Sequence, residues 1–350
     1  MEMEGQFQNV HLIALGGMSF IYQVAPGIVV KVPNTEDFAR QQFRNELDIY
    51  KILSRQAACA FIVQCFYYTD DGIFLEHMRD ESLSIRIQLN RNFDRTTRLV
   101  THVDRLEPLY RRLAWMNDVT QAIAFLESFH LAHGDLRPEN ILIDGNRIKV
   151  TDFDNTAAFG TPFMVCQEPW GRELRADEPE YGMPGFPAGL LGPRTEQFAL
   201  GSIYYYINYG MKVYGDKSLK DVLRDRGLVL RDLLQAMVFP ALYCDPMIDD
   251  LIHKCWHNQF PTIASLAVAA NALLNKGCGD EERKVVEEEI DSKLATDGGQ
   301  SDAANRTGYS ASEKVLCQQL EEHELFEFIR SIKPSPGIDG CESRLSPRAI

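Results

Sequence analysis

Hydrophobic periodicity changes once along this chain, near residue 80. Before that point, short apolar and β-branched runs alternate with turn residues, which is typical of strands. One helical pattern interrupts them between Glu36 and Arg55. After Ser82, helical spacing dominates as far as Lys276 and begins with Leu106–Leu131. This order predicts an α+β protein with a small antiparallel sheet plus one helix, followed by a larger, mainly helical part.

The predicted strands of the first part are short and are separated by turn residues or by the helix. They are Val10–Ala14, Phe20–Val24, Ile28–Val32, Ile62–Tyr68 and Ile73–Leu75. A later hairpin is predicted at 141–151, closed by Asp144-Gly145-Asn146. Residues 156–193 are rich in Gly and Pro and predict a long irregular loop.

Composition shifts to Glu, Asp, Ser and Gly after Lys276. Residues 277–350 therefore predict an acidic, largely disordered tail, with one amphipathic helix at 312–332. A solvated extension is the favoured interpretation of this tail. The alternative is that its helix docks on the rest of the chain or on a partner.

Charge and sequence runs restrict the partners. The chain has 50 acidic and 36 basic residues, a net charge of −14, which would repel nucleic acids and anionic membranes. No run approaches about eighteen apolar residues, and Met1-Glu2-Met3-Glu4 lacks the features of a signal peptide. None of the eight cysteines has C-x-x-C spacing. These features predict a soluble protein of the cytoplasm or nucleus that binds neither nucleic acid nor membrane.

Two segments carry residues suited to phosphoryl transfer, which needs a carboxylate near the attacking hydroxyl, oxygen ligands for Mg²⁺ and nearby cations. These two segments are His133–Asn140 and Thr151–Asp154. Asp135 is the candidate proton acceptor, and Arg137 supplies positive charge. Asn140 and Asp152 carry the oxygen ligands that Mg²⁺ prefers.

These segments resemble the catalytic loop H-R-D-L-K-P-E-N and the metal-binding D-F-G of protein kinases. The resemblance implies a two-lobed fold, with an N-terminal extension at 1–9 and lobes at 10–78 and 79–276. It implies ATP and Mg²⁺ as cofactors and a protein as substrate. The continuation from Arg137 to Asn140 looks more like serine/threonine kinases than tyrosine kinases.

Val29-Val30-Lys31 resembles the V-A-I-K strand of that family, and Glu46 resembles its helix glutamate. On this resemblance Lys31 holds the α- and β-phosphates and Glu46 fixes the lysine. Leu75–Met78 resembles the hinge, where Glu76 and Met78 would bind adenine through main-chain groups.

The segment Leu15–Ile21 takes the place of the glycine-rich loop G-x-G-x-x-G. Only Gly16 fits the pattern, because Met18 and Ile21 replace the second and third glycines. The resemblance assigns Leu15, Gly16, Gly17 and Val29 to the nucleotide pocket, with a weakened phosphate cover.

More distant motifs are also similar to the family, and the whole resemblance spans about Val10 to Asn275. Thr195–Gly201 resembles S-D-x-W-x-x-G with Glu196 in place of Asp, and Cys255-Trp256 matches a late C-W pair. Pro179-Glu180 is the candidate end of the activation segment. A set of motifs with several departures from the family pattern resembles divergent fungal kinase-like proteins most.

Two departures concern regulation. Gly134 replaces the Arg that pairs with an activation-loop phosphate in many kinases, so activity is predicted not to depend on phosphorylating Thr156 or Thr161. Asp154 replaces the glycine after Phe153 and is expected to stiffen that segment.

Three functions remain open. The first is an active protein kinase. The second is a small-molecule phosphotransferase similar to aminoglycoside and choline kinases, because of the H-G-D-L segment and the acid after Asp152-Phe153. The third is a catalytically impaired pseudokinase that acts as a binding module. The substrate and the oligomeric state are not predicted.

Overall fold

A computed structural model describes residues 7, 9–162, 168–172, 190–219, 223–277 and 311–332. Its strands are β1 His11–Leu15, β2 Ser19–Ala25, β3 Ile28–Pro33, β4 Cys65–Tyr68, β5 Ile73–Glu76, β6 Arg91–Phe93, β7 Val100–Val103, β8 Leu131–Ala132, β9 Ile141–Asp144, β10 Arg147–Val150 and β11 Ala157–Ala158. Its α-helices are α1 Asp37–Leu53, α2 Leu83–Gln88, α3 Leu109–Glu127, α4 Pro193–Tyr209, α5 Leu223–Gln235, α6 Pro246–Trp256, α7 Ile263–Gly277, α8 Ala311–Glu322 and α9 Leu325–Ile332.

The chain forms two compact units. The first contains residues 1–81, 152–154 and 299–350, and the second contains residues 82–151 and 155–298. The first unit holds a five-stranded antiparallel sheet in the order β1-β2-β3-β5-β4, together with α1. The second unit is mainly helical, so the predicted α+β kinase-like fold class is confirmed.

Strand β3 divides its side chains between the two faces of the sheet. Lys31 lies opposite Ile21 on β2 and Ile73 on β5, and Val29 lies opposite Leu75. Because side chains alternate along a strand, these residues share one face, and Ile28, Val30 and Val32 point to the other. Both faces of β3 are buried, which explains why the strand is apolar at nearly every position.

Helices α8 and α9 cover the face that carries Val30. The Phe326 ring packs edge-on against Phe74 with the centroids 5.8 Å apart, and Phe328 lies 5.1 Å from Phe7. One hydrophobic cluster joins helices and sheet: Phe7, Val10, Tyr22, Val24, Ile28, Val30, Val32, Phe74, Cys317, Leu325, Phe326, Phe328 and Ile329. The buried residues of these two helices therefore belong to the core of the first unit, whereas Val315, Leu316 and Ile332 are exposed.

The prediction of a single helix at 312–332 in a solvated extension was wrong in two respects. The segment forms two helices, because Glu324 adopts a left-handed conformation with φ of 66° between them. It is also not isolated. Tyr67 Oη donates a hydrogen bond to Glu321 at 3.3 Å, and Arg330 forms an ion pair with Asp71 at 2.8 Å.

In the second unit, α3 packs against α7, and α4 packs against α6. Gly201 on α4 permits the second contact, since a Cβ atom there would lie 2.9 Å from both Cys255 Cβ and Trp256 Cδ1. The Trp256 indole donates a hydrogen bond to Ser202 Oγ at 3.1 Å. The resemblance of Gly201 and Cys255-Trp256 to family motifs thus corresponds to one close helix contact.

Three expectations for the second unit need correction. The helix expected at Leu106–Leu131 begins only at Leu109, after Pro108, and ends at Glu127. A hairpin, β6–β7, lies where only helices were expected, and its turn is closed by Asp94, whose carboxylate accepts hydrogen bonds from the Thr96 and Thr97 amides. The loop expected at 156–193 includes a short strand, β11, paired with β8.

Residues 163–167 and 173–189 lie outside the described part of the chain, and so does the predicted end of the activation segment at Pro179-Glu180. None of the helices in the described ranges is long and apolar enough to cross a membrane.

Candidate active site

Lys31 forms two short ion pairs in the first unit. Its Nζ lies 2.6 Å from Glu46 Oε2 on α1 and 2.6 Å from Asp152 Oδ1. The side chain of Glu46 is fully buried, that of Lys31 is 11% exposed and that of Asp152 is 35% exposed. The three residues singled out from separate sequence motifs are therefore brought together, and only the aspartate is substantially accessible.

The electrostatics of this group favour a permanently charged lysine. Burial disfavours the ammonium, but the carboxylates of Asp152 and Glu46 outweigh it and raise the pKa of Lys31. Burial raises the pKa of Glu46, against the lowering effect of the Lys31 ammonium. A buried carboxyl of this kind is tolerated only beside its cation.

Local packing fixes Asp152. The neighbouring Phe153 is fully buried and packs edge-on against Tyr50 of α1, with the centroids 5.3 Å apart. Asp152 itself has φ of 68°, a left-handed conformation that is uncommon for residues other than glycine, although Asp and Asn adopt it more readily than most. Helix α1 thus contributes Glu46 to Lys31 and Tyr50 to the segment that carries Asp152.

The turn between β1 and β2 is a tight hairpin. The Gly16 amide donates to the Ser19 carbonyl at 2.9 Å, and the Asn34 amide donates to the Met18 carbonyl at 2.9 Å. A Cβ atom at Gly17 would meet nothing within 4 Å, and Leu15 is exposed. The weakened phosphate cover expected at this turn stays a prediction.

The segment expected to bind adenine follows β5. The His77 amide donates to the Gly27 carbonyl at 2.9 Å, and the Glu76 amide donates to the Gln64 carbonyl at 2.9 Å. The Met78 amide donates no hydrogen bond to any residue in the described ranges, although its side chain is buried. Leu75 and Val29 are both buried and face each other across β3 and β5.

In the second unit, the loop from His133 to Asn140 is closed by its own side chains. The Asn140 amide nitrogen Nδ2 donates to the Asp135 carbonyl oxygen at 2.9 Å and to Asp135 Oδ2 at 3.2 Å. The Thr151 amide donates to the Asn140 carbonyl at 3.0 Å, and the His133 ring bonds the Thr151 carbonyl at 3.0 Å. Asp135 and Asn140, predicted from one motif, are therefore direct partners.

Glu196 on α4 anchors this loop. Its carboxylate accepts hydrogen bonds from the backbone amides of His133 at 3.1 Å and Gly134 at 3.3 Å. The side chain is buried, and burial raises its pKa to about 7, with Asp135 adding to the effect and the two amides opposing it. Glu196, which stands in place of the Asp of the family motif, thus makes two hydrogen bonds to the backbone of this loop.

The same loop requires glycine at position 134. Gly134 has φ of 79°, and a Cβ atom there would overlap the carbonyl oxygen of Asn155. Thr156 adds a bond that sequence reasoning missed, because its buried hydroxyl donates to the His133 carbonyl at 3.1 Å.

Arg137 is held inside the loop as well. Its Nε donates to Glu139 Oε2 at 3.1 Å, and Ser84 Oγ donates to the other oxygen of Glu139 at 2.9 Å. The Arg137 side chain is 29% exposed, so its charge remains accessible.

These two units, with their lysine–glutamate pair and their His-Gly-Asp loop, define a protein-kinase-like domain.

Comparisons with known proteins agree. The family model for the protein kinase domain matches residues 23–262. The chain is 22% identical over 178 residues to Kinase suppressor of Ras A of Caenorhabditis elegans. This alignment covers 45% of this chain and 22% of that protein. It is 34% identical over 104 residues to Death-associated protein kinase related of Drosophila melanogaster, which covers 29% of this chain and 14% of that protein.

A shorter match, 39% identical over 61 residues, links 17% of the chain to 13% of Serine/threonine-protein kinase ppk24, mitochondrial, of Schizosaccharomyces pombe. The chain thus spans less than a quarter of the length of each of these relatives. The family match extends over more than half of the chain, and this protein belongs to the protein kinase family.

Proposed function

We propose that the protein transfers the γ-phosphate of Mg-ATP to a serine or threonine hydroxyl of a protein substrate. The observation that supports this most directly is the pairing of Lys31 with both Glu46 and Asp152 at 2.6 Å. A buried lysine that stays charged is suited to binding phosphate oxygens, and holding it between two carboxylates fixes its position in advance.

In this proposal Asp135 accepts the proton of the attacking hydroxyl, and Arg137 offsets negative charge on the transferred group. Lys31 binds the α- and β-phosphates. Leu15, Gly16, Gly17 and Val29 surround the nucleotide, and the main chain of Glu76 and Met78 binds adenine. The Met78 amide, which donates no hydrogen bond within the described part of the chain, is consistent with this last role.

The proposed Mg²⁺ ligands are Asp152 and Asn140, and their chemistry fits a hard cation. Asn140 uses Nδ2 for both of its bonds to Asp135, and neither bond uses the carbonyl oxygen Oδ1. Asp152 carries the most exposed carboxylate of the Lys31 group. When bound, Mg²⁺ would neutralise phosphate charge, while these two residues would orient it.

Serine/threonine specificity rests on the Arg137–Asn140 continuation and on the similarity to Serine/threonine-protein kinase ppk24, mitochondrial. A cytoplasmic or nuclear location and the absence of nucleic-acid partners stay predictions from the sequence.

The deciding experiment is transfer of labelled γ-phosphate from Mg-ATP to the protein itself and to a generic basic protein. Wild type is compared with Asp135→Asn, which keeps the shape of the side chain but removes the proposed base. We expect transfer by wild type and a loss of at least about a hundredfold in the variant. Equal transfer by both proteins would contradict the assigned role of Asp135.

A second candidate is phosphoryl transfer to a small molecule, favoured by the structural need for Gly134 and by the buried Asp154 that follows Phe153. An assay with aminoglycosides and choline as acceptors separates the two functions. ATP binding without transfer to any acceptor would instead indicate a pseudokinase.

A further inference from the structure

Phe326 of helix α9 lies in a position that depends on a glycine of the sheet. A Cβ atom at Gly72, in the turn between β4 and β5, would lie 2.7 Å from Cζ of the Phe326 ring and 2.9 Å from Val30 Cγ2. The φ angle of Gly72 is not in the left-handed region, so the backbone alone does not demand glycine. The missing side chain makes room for the ring and for Val30.

Phe326 thereby contacts the sheet directly behind Lys31. Val30 and Lys31 are consecutive residues of β3 and point to opposite faces. Val30 is fully buried in the cluster that contains Phe326. The ring therefore packs in the cluster on the opposite face of the strand that carries Lys31.

The same helix also borders α1. Phe326 and Arg330 line a cavity of about 400 Å³ together with Phe43 and Arg44 of α1. Phe43 precedes Glu46 by three residues, so both lie on neighbouring turns of one face of the helix. The ion pair between Arg330 and Asp71, at 2.8 Å, ties α9 to the turn beside Gly72.

We propose that Phe326 is a positioning residue for the Lys31–Glu46 ion pair: its ring, seated over Gly72, holds β3 and α1 in the arrangement that brings the two charges together. The effect on phosphoryl transfer rests on the proposed function, whereas the effect on the helix does not. Removing the ring would enlarge a cavity that already borders α1, so the adjacent helix is free to shift. A shift near 1 Å at a positioned charge is enough to reduce a rate by up to about a hundredfold.

The test compares Phe326→Ala with Phe328→Ala in the full chain. Phe328 is a matched control, since it is the same residue type, is as buried as Phe326 and lies in the same cluster, but packs on Phe7. Backbone amide hydrogen exchange of α1 is the first readout, because it needs no catalytic activity. Initial rates of phosphate transfer are the second, measured at a temperature where all variants are folded.

Phe326→Ala is expected to raise exchange at the α1 amides around Glu46 by about tenfold and to lower kcat by about tenfold, with KM for the protein substrate unchanged. Phe326→Leu should restore most of both. Phe328→Ala should lower the melting temperature by about as much as Phe326→Ala does. It should nevertheless leave amide exchange in α1 within about twofold of wild type. Equal exchange in the two alanine variants would overturn the proposal.

Gly72→Ala provides an independent arm that keeps Phe326 but displaces its ring. It should reproduce the faster α1 exchange, and its effect should be smaller in the Phe326→Ala background, where only the contact with Val30 remains. A response of α1 without any phosphate transfer by wild type would support the positioning role and refute the proposed kinase activity. Transfer by wild type with no response of α1 in either variant would refute the positioning role alone.

Discussion

The carbonyl oxygen of Asn155 occupies the space that a Cβ atom of residue 134 would need. Glycine is therefore imposed on this loop by its backbone path, at the position where many kinases carry an arginine. The consequence is that the arginine cannot be restored by a single substitution without moving the loop.

Gly134→Ala should lower the free energy of unfolding by more than Gly27→Ala, and it should reduce phosphate transfer. Both glycines have a similar positive φ, 79° and 77°, but a Cβ atom at Gly27 would meet nothing within 4 Å. Gly27→Ala therefore reports backbone strain alone, about 1–2 kcal/mol. Denaturant unfolding of both variants gives the comparison, and equal losses would show that the Asn155 contact is relieved at no cost.

Phosphorylation of Thr156 should inactivate rather than activate. Its hydroxyl is buried and donates to the His133 carbonyl, so a phosphate there would break that bond and place charge in the interior. Thr156→Glu is expected to reduce phosphate transfer, whereas Thr161→Glu should leave it within about twofold of wild type. A many-fold rise in rate with either variant would refute the predicted independence from activation-loop phosphorylation.

Stability should depend on pH through Glu196. Its pKa is raised from 4.5 to about 7 in the folded protein. As the pH rises, the unfolded chain therefore releases this proton at a lower pH than the folded protein does. The stability associated with the protonated form is fully present below about pH 4.5 and is lost as the pH rises towards 7, by a few kcal/mol at most.

Glu196→Gln removes this titration and keeps one oxygen for the His133 or Gly134 amide. The difference in unfolding free energy between wild type and variant should therefore shift in favour of the variant between pH 5 and pH 7.5. The buried Asp118, whose pKa burial also raises to about 7, contributes equally to both proteins and cancels. A difference that does not change with pH would mean that Glu196 is ionised throughout.

Removing Glu46 should cost both stability and activity. Its carboxyl is fully buried beside Lys31, and breaking a buried pair on one side typically costs about 3–5 kcal/mol. Glu46→Gln keeps the packing and leaves Asp152 as the remaining anion for Lys31. Glu46→Gln should therefore lower the free energy of unfolding by less than Glu46→Ala. It should still bind ATP more weakly than wild type, as measured by titration calorimetry. Unchanged ATP affinity in Glu46→Gln would argue against a role for the pair in nucleotide binding.

Two glycines within helices should respond to alanine with opposite signs. Gly201→Ala is expected to destabilise the protein by about 1–3 kcal/mol, because the new Cβ would press on Cys255 and Trp256. Gly227 on α5 has open space around it, so Gly227→Ala should stabilise the protein by about 0.5–1 kcal/mol through helix propensity. Melting temperatures of the two variants against wild type test both signs, and a stabilising Gly201→Ala would contradict the close contact of α4 with α6.

The fold class and the grouping of several candidate residues could be predicted because each depends on a local pattern. The β9–β10 hairpin follows from Asp144-Gly145-Asn146, and the Asp135–Asn140 contact spans only five residues. Lys31, Glu46 and Asp152 lie far apart in the sequence, and only the family resemblance linked them before the structure was known.

Other features could not be predicted, since they depend on tertiary packing. Gly72 looks like an ordinary turn glycine, and nothing local relates it to Phe326 more than 250 residues later. The acidic composition around α8 and α9 favoured a solvated tail, although Leu325, Phe326, Phe328 and Ile329 of α9 are buried. A signal was present in β3, where Ile28, Val29 and Val30 lack the polar alternation of a strand with one solvent-exposed face.

The cover that α8 and α9 provide for the sheet also affects the order in which the protein can be completed during synthesis. Tyr22, Val30 and Phe74 leave the ribosome early, but the side chains that bury them belong to residues made roughly 12–60 s later, at about 5–20 residues per second. During that interval the sheet exposes an apolar face, and the nascent chain is expected to need a chaperone at that stage.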